Sequence, residues 1–382
     1  MSVCKPLGFV AGVASAGFRS DSSNDVAIVI NQGPEFSAAA VFTKNQVKAA
    51  PVLWSQEAIK TGKCKAVVLN SGGANACTGS KGFGVAHETA EHLAKQLSVG
   101  AIEIQVCSTG LIGKQLDVDR LKPAIDKAVS SASRESGEAA AWAILTTDSH
   151  SKTTFVEGTS YSIGGMIKGA GMLAPDLATM LCVITTDAKI DSNVLSRILS
   201  NSVERTLNRI DSDGCTSTND SVIIMSSGVR GECDLVEFEA DLIKVLEKLG
   251  NELISDAEGS TKTIKITALN CLDEKMAVTA ARAVARNNLF KAAMFGSDAN
   301  WGRILAALGV IDYEFDQFLL DVYMNGNLVC KSGEALKLES QVNLSERLIE
   351  IEIDFHLGHH QATIWTNDLS EKYVYENSAY ST

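Results

Sequence analysis

The hydrophobic positions of the chain fall into short runs separated by small and polar residues. DVAIVI (25–30) and FSAAAVFT (36–43) are β-rich runs on either side of Asn31-Gln32-Gly33-Pro34, a strong turn signal. KAVVLNSG (65–72) predicts a further strand ending in a small-residue loop. Val85, Thr89, Leu93 and Leu97 then recur at spacing four, which is one face of a helix. Another strand ends at Cys107, before the loop Ser108-Thr109-Gly110, and helices are predicted over roughly 118–132 and 134–145.

The middle of the chain, TSYSIGGMIKGAGMLAPDLATMLCVITTDA (159–188), is rich in glycine and poor in charge, with a strand resuming at Met180. Asp191 is placed to cap a helix carrying Val194, Leu195, Ile198 and Leu199. DSVIIMSSG (220–228) predicts a strand, and a helix over 236–250 is expected to stop at Gly250 as its C-cap. KTIKITAL (262–269) alternates as a strand, and DEKMAVTAARAVAR (273–286) is Ala-rich and helical. QFLLDVYM, LIEIEIDFHLG and HQATIWT make the tail rich in strands. Strands and helices come in blocks more than in strict alternation, which favours an α+β layered fold over a doubly wound sheet. The change to a strand-rich tail suggests a boundary in the 280–310 region, with 1–280 and 281–382 as the working division.

Length and charge narrow the picture further. A chain of 382 residues with 45% hydrophobic content can bury a large core, and two domains are the first expectation. The formal net charge of −12 argues against nucleic acid as a partner. Nine cysteines are scattered without a CxxC pair, which suits small buried residues in a reducing compartment better than a disulfide framework. No apolar run reaches membrane-spanning length, and MSVCKPLGFVAG lacks the layout of a signal or transit peptide. The expectation is a cytoplasmic protein with no membrane partner.

Several segments invite a chemical reading. GGMIKGAG (164–171) has the wrong order for a phosphate loop. His356, His359 and His360 include adjacent residues that point opposite ways on a strand, so no metal site is expected. There is no GxSxG signal for a serine triad. Ala178-Thr179 follows a glycine-rich run and opens an apolar strand, where a threonine is common for propensity alone. If that bond were cut, the new α-amine would titrate at about 7.7–8.0 and could activate the threonine hydroxyl as an acyl acceptor. Ser108-Thr109-Gly110 can be an ordinary βα turn, or a cluster of N–H groups and a hydroxyl facing an oxyanion.

Read together, these segments resemble the ornithine acetyltransferase family, also called bifunctional glutamate N-acetyltransferase, the ArgJ family of arginine biosynthesis. The resemblance runs nearly end to end through NQGPEFSAAAVFTKN (31–45), LNSGGANACTG (69–79), CSTGLIGK (107–114), TTDS (146–149), GGMIKGAGMLAPDLATML (164–181), DGCTSTND (213–220), DAEGSTK (256–262), GSDANWGRI (296–304) and YVYENSAYST (373–382), in the family's order. It implies self-cleavage between Ala178 and Thr179 into an α chain (1–178) and a β chain (179–382), with Thr179 as the acetyl-carrying nucleophile. It implies an oxyanion hole at Thr109 and Gly110, and substrate contacts at Thr147, Lys168, Thr179, Glu258, Asn377 and Thr382. It further implies an αββα-type sandwich of the DmpA/ArgJ kind with a smaller C-terminal domain, N-acetylornithine and glutamate as substrates, no cofactor, acetyl-CoA as a conceivable second acetyl donor, and an α2β2 heterotetramer.

The chain departs from the family's pattern in places. APDLATML stands where APNMATML is common, NSGGANA where NSGNANA is common, and the tail YVYENSAYST differs from the usual YVRINADYTT. Asp176 adds a charge near the cut and puts its rate and pH dependence in question. Two other readings remain beside acetyl transfer: a hydrolase in which water replaces glutamate, and an uncleaved binding protein.

Overall fold

In a computed structural model, residues 2–174, 180–336 and 342–379 are described. Along the chain lie β1 (Phe9–Ala14), β2 (Val26–Asn31), β3 (Ala38–Phe42), α1 (Ala50–Ala58), β4 (Ala66–Asn70), α2 (Gly79–Leu97), β5 (Ile104–Ser108), α3 (Val118–Ser130), α4 (Gly137–Ala143), β6 (Lys152–Glu157) and β7 (Ser162–Lys168). Then come β8 (Leu181–Ala188), α5 (Ser192–Arg205), β9 (Ser221–Gly231), α6 (Leu235–Ser255), β10 (Thr263–Cys271), α7 (Glu274–Ala285), α8 (Asn288–Phe295) and α9 (Gly302–Leu308). The chain continues through β11 (Asp321–Met324), β12 (Asn327–Lys331), β13 (Glu334–Ala335), β14 (Leu348–Asp354), β15 (His360–Asn367) and α10 (Glu371–Ala379).

Two sheets stack face to face. One has the order β1-β2-β4-β5 and the other β3-β9-β8-β7-β6. Their inner faces share a core containing Phe9, Val29, Leu69, Met166, Val183 and Ile223. On the outer face of the first sheet Ile28, Val68 and Ile104 meet Leu93 of α2 and Leu121 and Ile125 of α3. On the outer face of the second, Ile163 and Ile184 meet Ile198 of α5 and Leu242 and Leu246 of α6. This is a helix-sheet-sheet-helix sandwich of the α+β class. Every residue of β2 is buried, because both of its faces are covered, and so its sequence reads as one apolar run instead of an alternation.

The turn at 31–34 carries the chain from one sheet to the other. The Asn31 side chain donates to the Ser226 carbonyl on β9 at 3.0 Å and so ties the two layers together. A third sheet, β13-β12-β11-β14-β10-β15, packs on α7, α8 and α9 around its own core. It begins with β10 at Thr263, ahead of the change in character expected around 280–281, because β10 pairs with the tail strands β14 and β15.

Local signals account for many boundaries. Asp191 accepts from the Asn193 and Val194 amides at the start of α5, and Asp273 from Met276 at the start of α7. Gly250 does not cap α6. The helix runs on to Ser255, because Leu253 and Ile254 continue its buried face and Gly250 itself lies against Ile210 and Leu207. β7 has no counterpart in the sequence reading. All its positions are buried, and the Gly164-Gly165 pair interrupts any side-chain period.

Candidate active site

The ends of central strands from both sheets meet at one place. Asn70 and Ser108 end the parallel pair β4 and β5. From the other sheet, Lys168 ends β7 opposite Leu181, which opens β8 and pairs in turn with Ser221 at the start of β9. Asn219 stitches the layers here: its side-chain amide donates to the Ala74 carbonyl at 2.6 Å and the Ser108 carbonyl at 2.8 Å.

Thr109 and Gly110 leave β5 as a turn against Gly73. The Thr109 amide donates to the Asn70 carbonyl at 2.9 Å, and the Gly73 amide to the Thr109 carbonyl at 3.0 Å. The Thr109 N–H is therefore committed to the fold, which narrows the expected donor set to the Thr109 hydroxyl and the Gly110 N–H. Gly110 sits at φ +128, and a Cβ there would lie 2.9 Å from the Gly73 Cα, so no other residue fits this turn.

Lys168 is buried behind that turn. Its Nζ donates to the Thr109 hydroxyl oxygen at 3.1 Å and to the Thr146 hydroxyl at 2.8 Å. With its oxygen already accepting, the Thr109 hydroxyl has its proton left to give, and the ammonium behind it makes that proton a better donor. Burial pulls the Lys168 pKa below the usual lysine range, while Asp148 opposes the shift from 3.9 Å.

Below Lys168 lies a buried charge network. Asp148 accepts from Lys152 Nζ at 2.7 Å and from the Gly169 amide at 2.6 Å. Lys152 also donates to Asp256 at 2.6 Å. Burial pushes the Asp148 pKa up, but Lys168 and Lys152 outweigh it, and the carboxyl falls to about 2. The network locks the turn at Gly169 and with it the end of β7.

Glu258, half-buried, follows α6, and its amide donates to the Ala170 carbonyl at 2.9 Å. Its carboxylate lies over Gly171, where a Cβ would come within 2.7 Å of Oε2. The next residue, Gly259, receives the C-terminal helix: its carbonyl accepts from Ser370, whose oxygen accepts from the Tyr373 amide at 2.9 Å. Asn377 is exposed one turn further along α10, with its side-chain amide donating to the Tyr373 carbonyl at 3.0 Å.

Asp220 is fully buried. It accepts from the Met180 amide at 3.0 Å and from the Ser217 hydroxyl, and burial raises its pKa to about 7. Thr109, Gly110, Lys168 and Glu258 are thus gathered around the ends of β5 and β7, and α10, which carries Asn377, is tied at its start to Gly259, the neighbour of Glu258. Thr147 is exposed; the hydroxyl that reaches Lys168 belongs to its neighbour Thr146. Asp176, Ala178, Thr179 and Thr382 lie outside the described residues.

Sequence reasoning assigned no role to Thr146, Asp148, Lys152, Asp213, Asn219, Asp220, Asp256 or Tyr373. All but Lys152 fall inside or beside the motifs TTDS, DGCTSTND, DAEGSTK and YVYENSAYST, so the signal was in segments already singled out.

The chain is similar over its whole length to proteins of known kind. It is 52% identical to the arginine biosynthesis bifunctional protein ArgJ of Thermobifida fusca and 50% identical to that of Streptomyces coelicolor, with all of each chain covered. A solved structure of ornithine acetyltransferase complexed with ornithine, from Mycobacterium tuberculosis, is 47% identical over 47% of this chain and 96% of that one, with a TM-score of 0.45. Residues 10–382 match the ArgJ family, and the chain belongs to that family.

Proposed function

We propose that this protein is an arginine-biosynthesis acetyltransferase that moves the acetyl group of N-acetylornithine to glutamate through Thr179. Relatives half identical over the full length carry the name of a bifunctional enzyme of that pathway. The observation in the fold that carries the reading is the Lys168 ammonium seated on the Thr109 hydroxyl beside Gly110.

The mechanism follows from those groups. Thr179 Oγ attacks the Ala178 carbonyl and the peptide bond gives way to an ester, which water opens to leave a free α-amine on Thr179. That amine then takes the hydroxyl proton as Oγ attacks the acetyl carbon of N-acetylornithine. The Thr109 hydroxyl and Gly110 N–H hold the oxyanion, ornithine leaves with a proton, and the acetyl group rests on Thr179. The glutamate amine attacks this ester and departs as N-acetylglutamate. Glu258 suits a substrate ammonium, Lys168 a carboxylate or the oxyanion side of the site, and Thr147, Asn377 and Thr382 complete the amino-acid contacts. No cofactor is needed; acetyl-CoA would enter as a second acetyl donor to the same oxygen. The two chains would assemble as α2β2 in the cytoplasm.

The test is direct. Purified protein incubated with N-acetylornithine and glutamate should form N-acetylglutamate and ornithine in equal amounts, and its intact mass should resolve into two chains, the second starting at Thr179. Free acetate in place of N-acetylglutamate would make it a hydrolase. Thr179→Ala should abolish both cleavage and transfer, while Thr179→Ser keeps some of each.

A further inference from the structure

The segment DGCTSTND (213–220), between α5 and β9, has an aspartate at each end. Asp213 Oδ2 accepts from the Leu173 amide at 2.6 Å. The Ser212 and Asp213 amides donate back to the Leu173 carbonyl at 2.6 and 2.8 Å. At the other end Asp220 Oδ1 accepts from the Met180 amide, and the Ser221 amide donates to the Met180 carbonyl at 3.1 Å. Leu173 and Met180 are both buried in the core between the second sheet and its helices. One segment therefore grips the backbone at Leu173 and again at Met180, the residue bonded to Thr179.

We propose that 212–220 is a two-ended clamp that fixes the chain on both sides of the Ala178–Thr179 bond, and that Asp213 and Asp220 are positioning residues for it. The proposal rests on Thr179 being the nucleophile and the point of cleavage. An acyl shift between neighbouring residues needs the hydroxyl oxygen held on the line of attack to the preceding carbonyl, and small displacements are costly. Anchors on both flanks supply that hold before the cut. Because the Met180 anchor lies outside the broken bond, it still holds the chain next to Thr179 afterwards, where the freed amine must act as base.

The experiment follows chain cleavage over time by denaturing electrophoresis in full-length variants, then kcat and KM of the processed protein. Asp220→Ala should slow cleavage about tenfold or more, and Asp220→Asn, which keeps an oxygen acceptor for the Met180 amide, should restore most of it. Ser217→Ala keeps the Asp220 carboxylate but removes the hydroxyl that donates to it and accepts from the Asn219 amide; it should slow cleavage severalfold, which decides the matter if Asp220→Ala does not fold. Wild-type cleavage in Ser217→Ala and in any folded Asp220→Ala overturns the clamp and leaves the Thr179 reading standing. An active wild-type protein of a single uncut chain overturns the Thr179 reading itself, and the clamp with it.

Discussion

Two regions beside the proposed site are built in opposite ways. The floor under Lys168 is made of ion pairs sealed from water: the side chains of Asp148 and Lys152 are 0% exposed and that of Lys168 is 1% exposed. The C-terminal helix on the other side has no buried residue and is held by the Ser370 and Tyr373 contacts. The contrast assigns different work to each. Charges sealed in a low dielectric interact strongly and keep one geometry, which suits groups that must meet a developing oxyanion. An exposed helix on a few hydrogen bonds can vary in sequence at little cost, which suits contacts that choose the amino acid. The chain's departures from the family pattern at YVYENSAYST fall on the second region.

Breaking the floor should have the largest effect. Lys152→Met leaves Asp148 and Asp256 buried without the cation they share, a change that costs about 3–5 kcal/mol when one partner of a buried pair is lost. Urea unfolding should show that loss. A change below about 1 kcal/mol would mean the network is not the anchor that its burial implies.

Next comes the turn that the floor supports. Thr109→Ala removes one of two proposed oxyanion donors and should lower kcat by about 10² to 10³. KM should move little, because the ground-state carbonyl is held less tightly than the oxyanion. An effect confined to KM would turn Thr109 into a residue that only places substrate.

Acid should have a gentler effect, and it sets the floor's Asp148 apart from the buried Asp220. Asp148 titrates near 2 in the folded protein, below its ordinary 3.8. Its contribution, roughly 2 kcal/mol by linkage, is present above pH 4 and is lost as pH falls through 2. Asp220 has the opposite sign: its raised pKa means stability from that group is present below about 4 and declines as pH rises toward 7. Asp148→Asn should therefore flatten the fall in stability between pH 4 and 2, while Asp220→Asn should flatten a decline between pH 4 and 7. Parallel stability profiles for wild type and both variants would contradict these assignments.

The sequence was informative where the physics is local. Asp191 caps α5 through amides two and three residues away, and the apolar runs at 25–30 and 65–70 form strands. The position of Lys168 was legible only through resemblance; by itself it reads as a charge on a glycine loop. Its partners lie on separate segments, since Thr109 follows β5 while Asp148 belongs to the loop before β6, and Lys152 reaches across to Asp256 after α6. No local period encodes such pairings; they exist because two sheets stack and bring unrelated strand ends together. Gly250 failed as a helix stop for the same reason, because packing on Ile210 overrode its local preference.

The smallest expected effect lies on α10, and it tests the comparison most finely. The Asn377 side chain is exposed and, among the described residues, bonds its own helix, donating to the Tyr373 carbonyl. Asn377→Ala removes no buried contact and should change unfolding free energy by less than about 0.5 kcal/mol. If the side chain gives one hydrogen bond to the amino-acid substrate, its loss is worth about 0.5–1.5 kcal/mol. That is roughly a two- to twelvefold rise in KM. The kcat for acetyl transfer should hold, since the floor and the Thr109 turn are untouched. Measuring KM for N-acetylornithine and for glutamate separately shows which half of the reaction the helix serves. A large loss of stability, or a fall in kcat with KM unchanged, would show that α10 is part of the rigid machinery and that the division between a sealed floor and an adjustable helix is wrong.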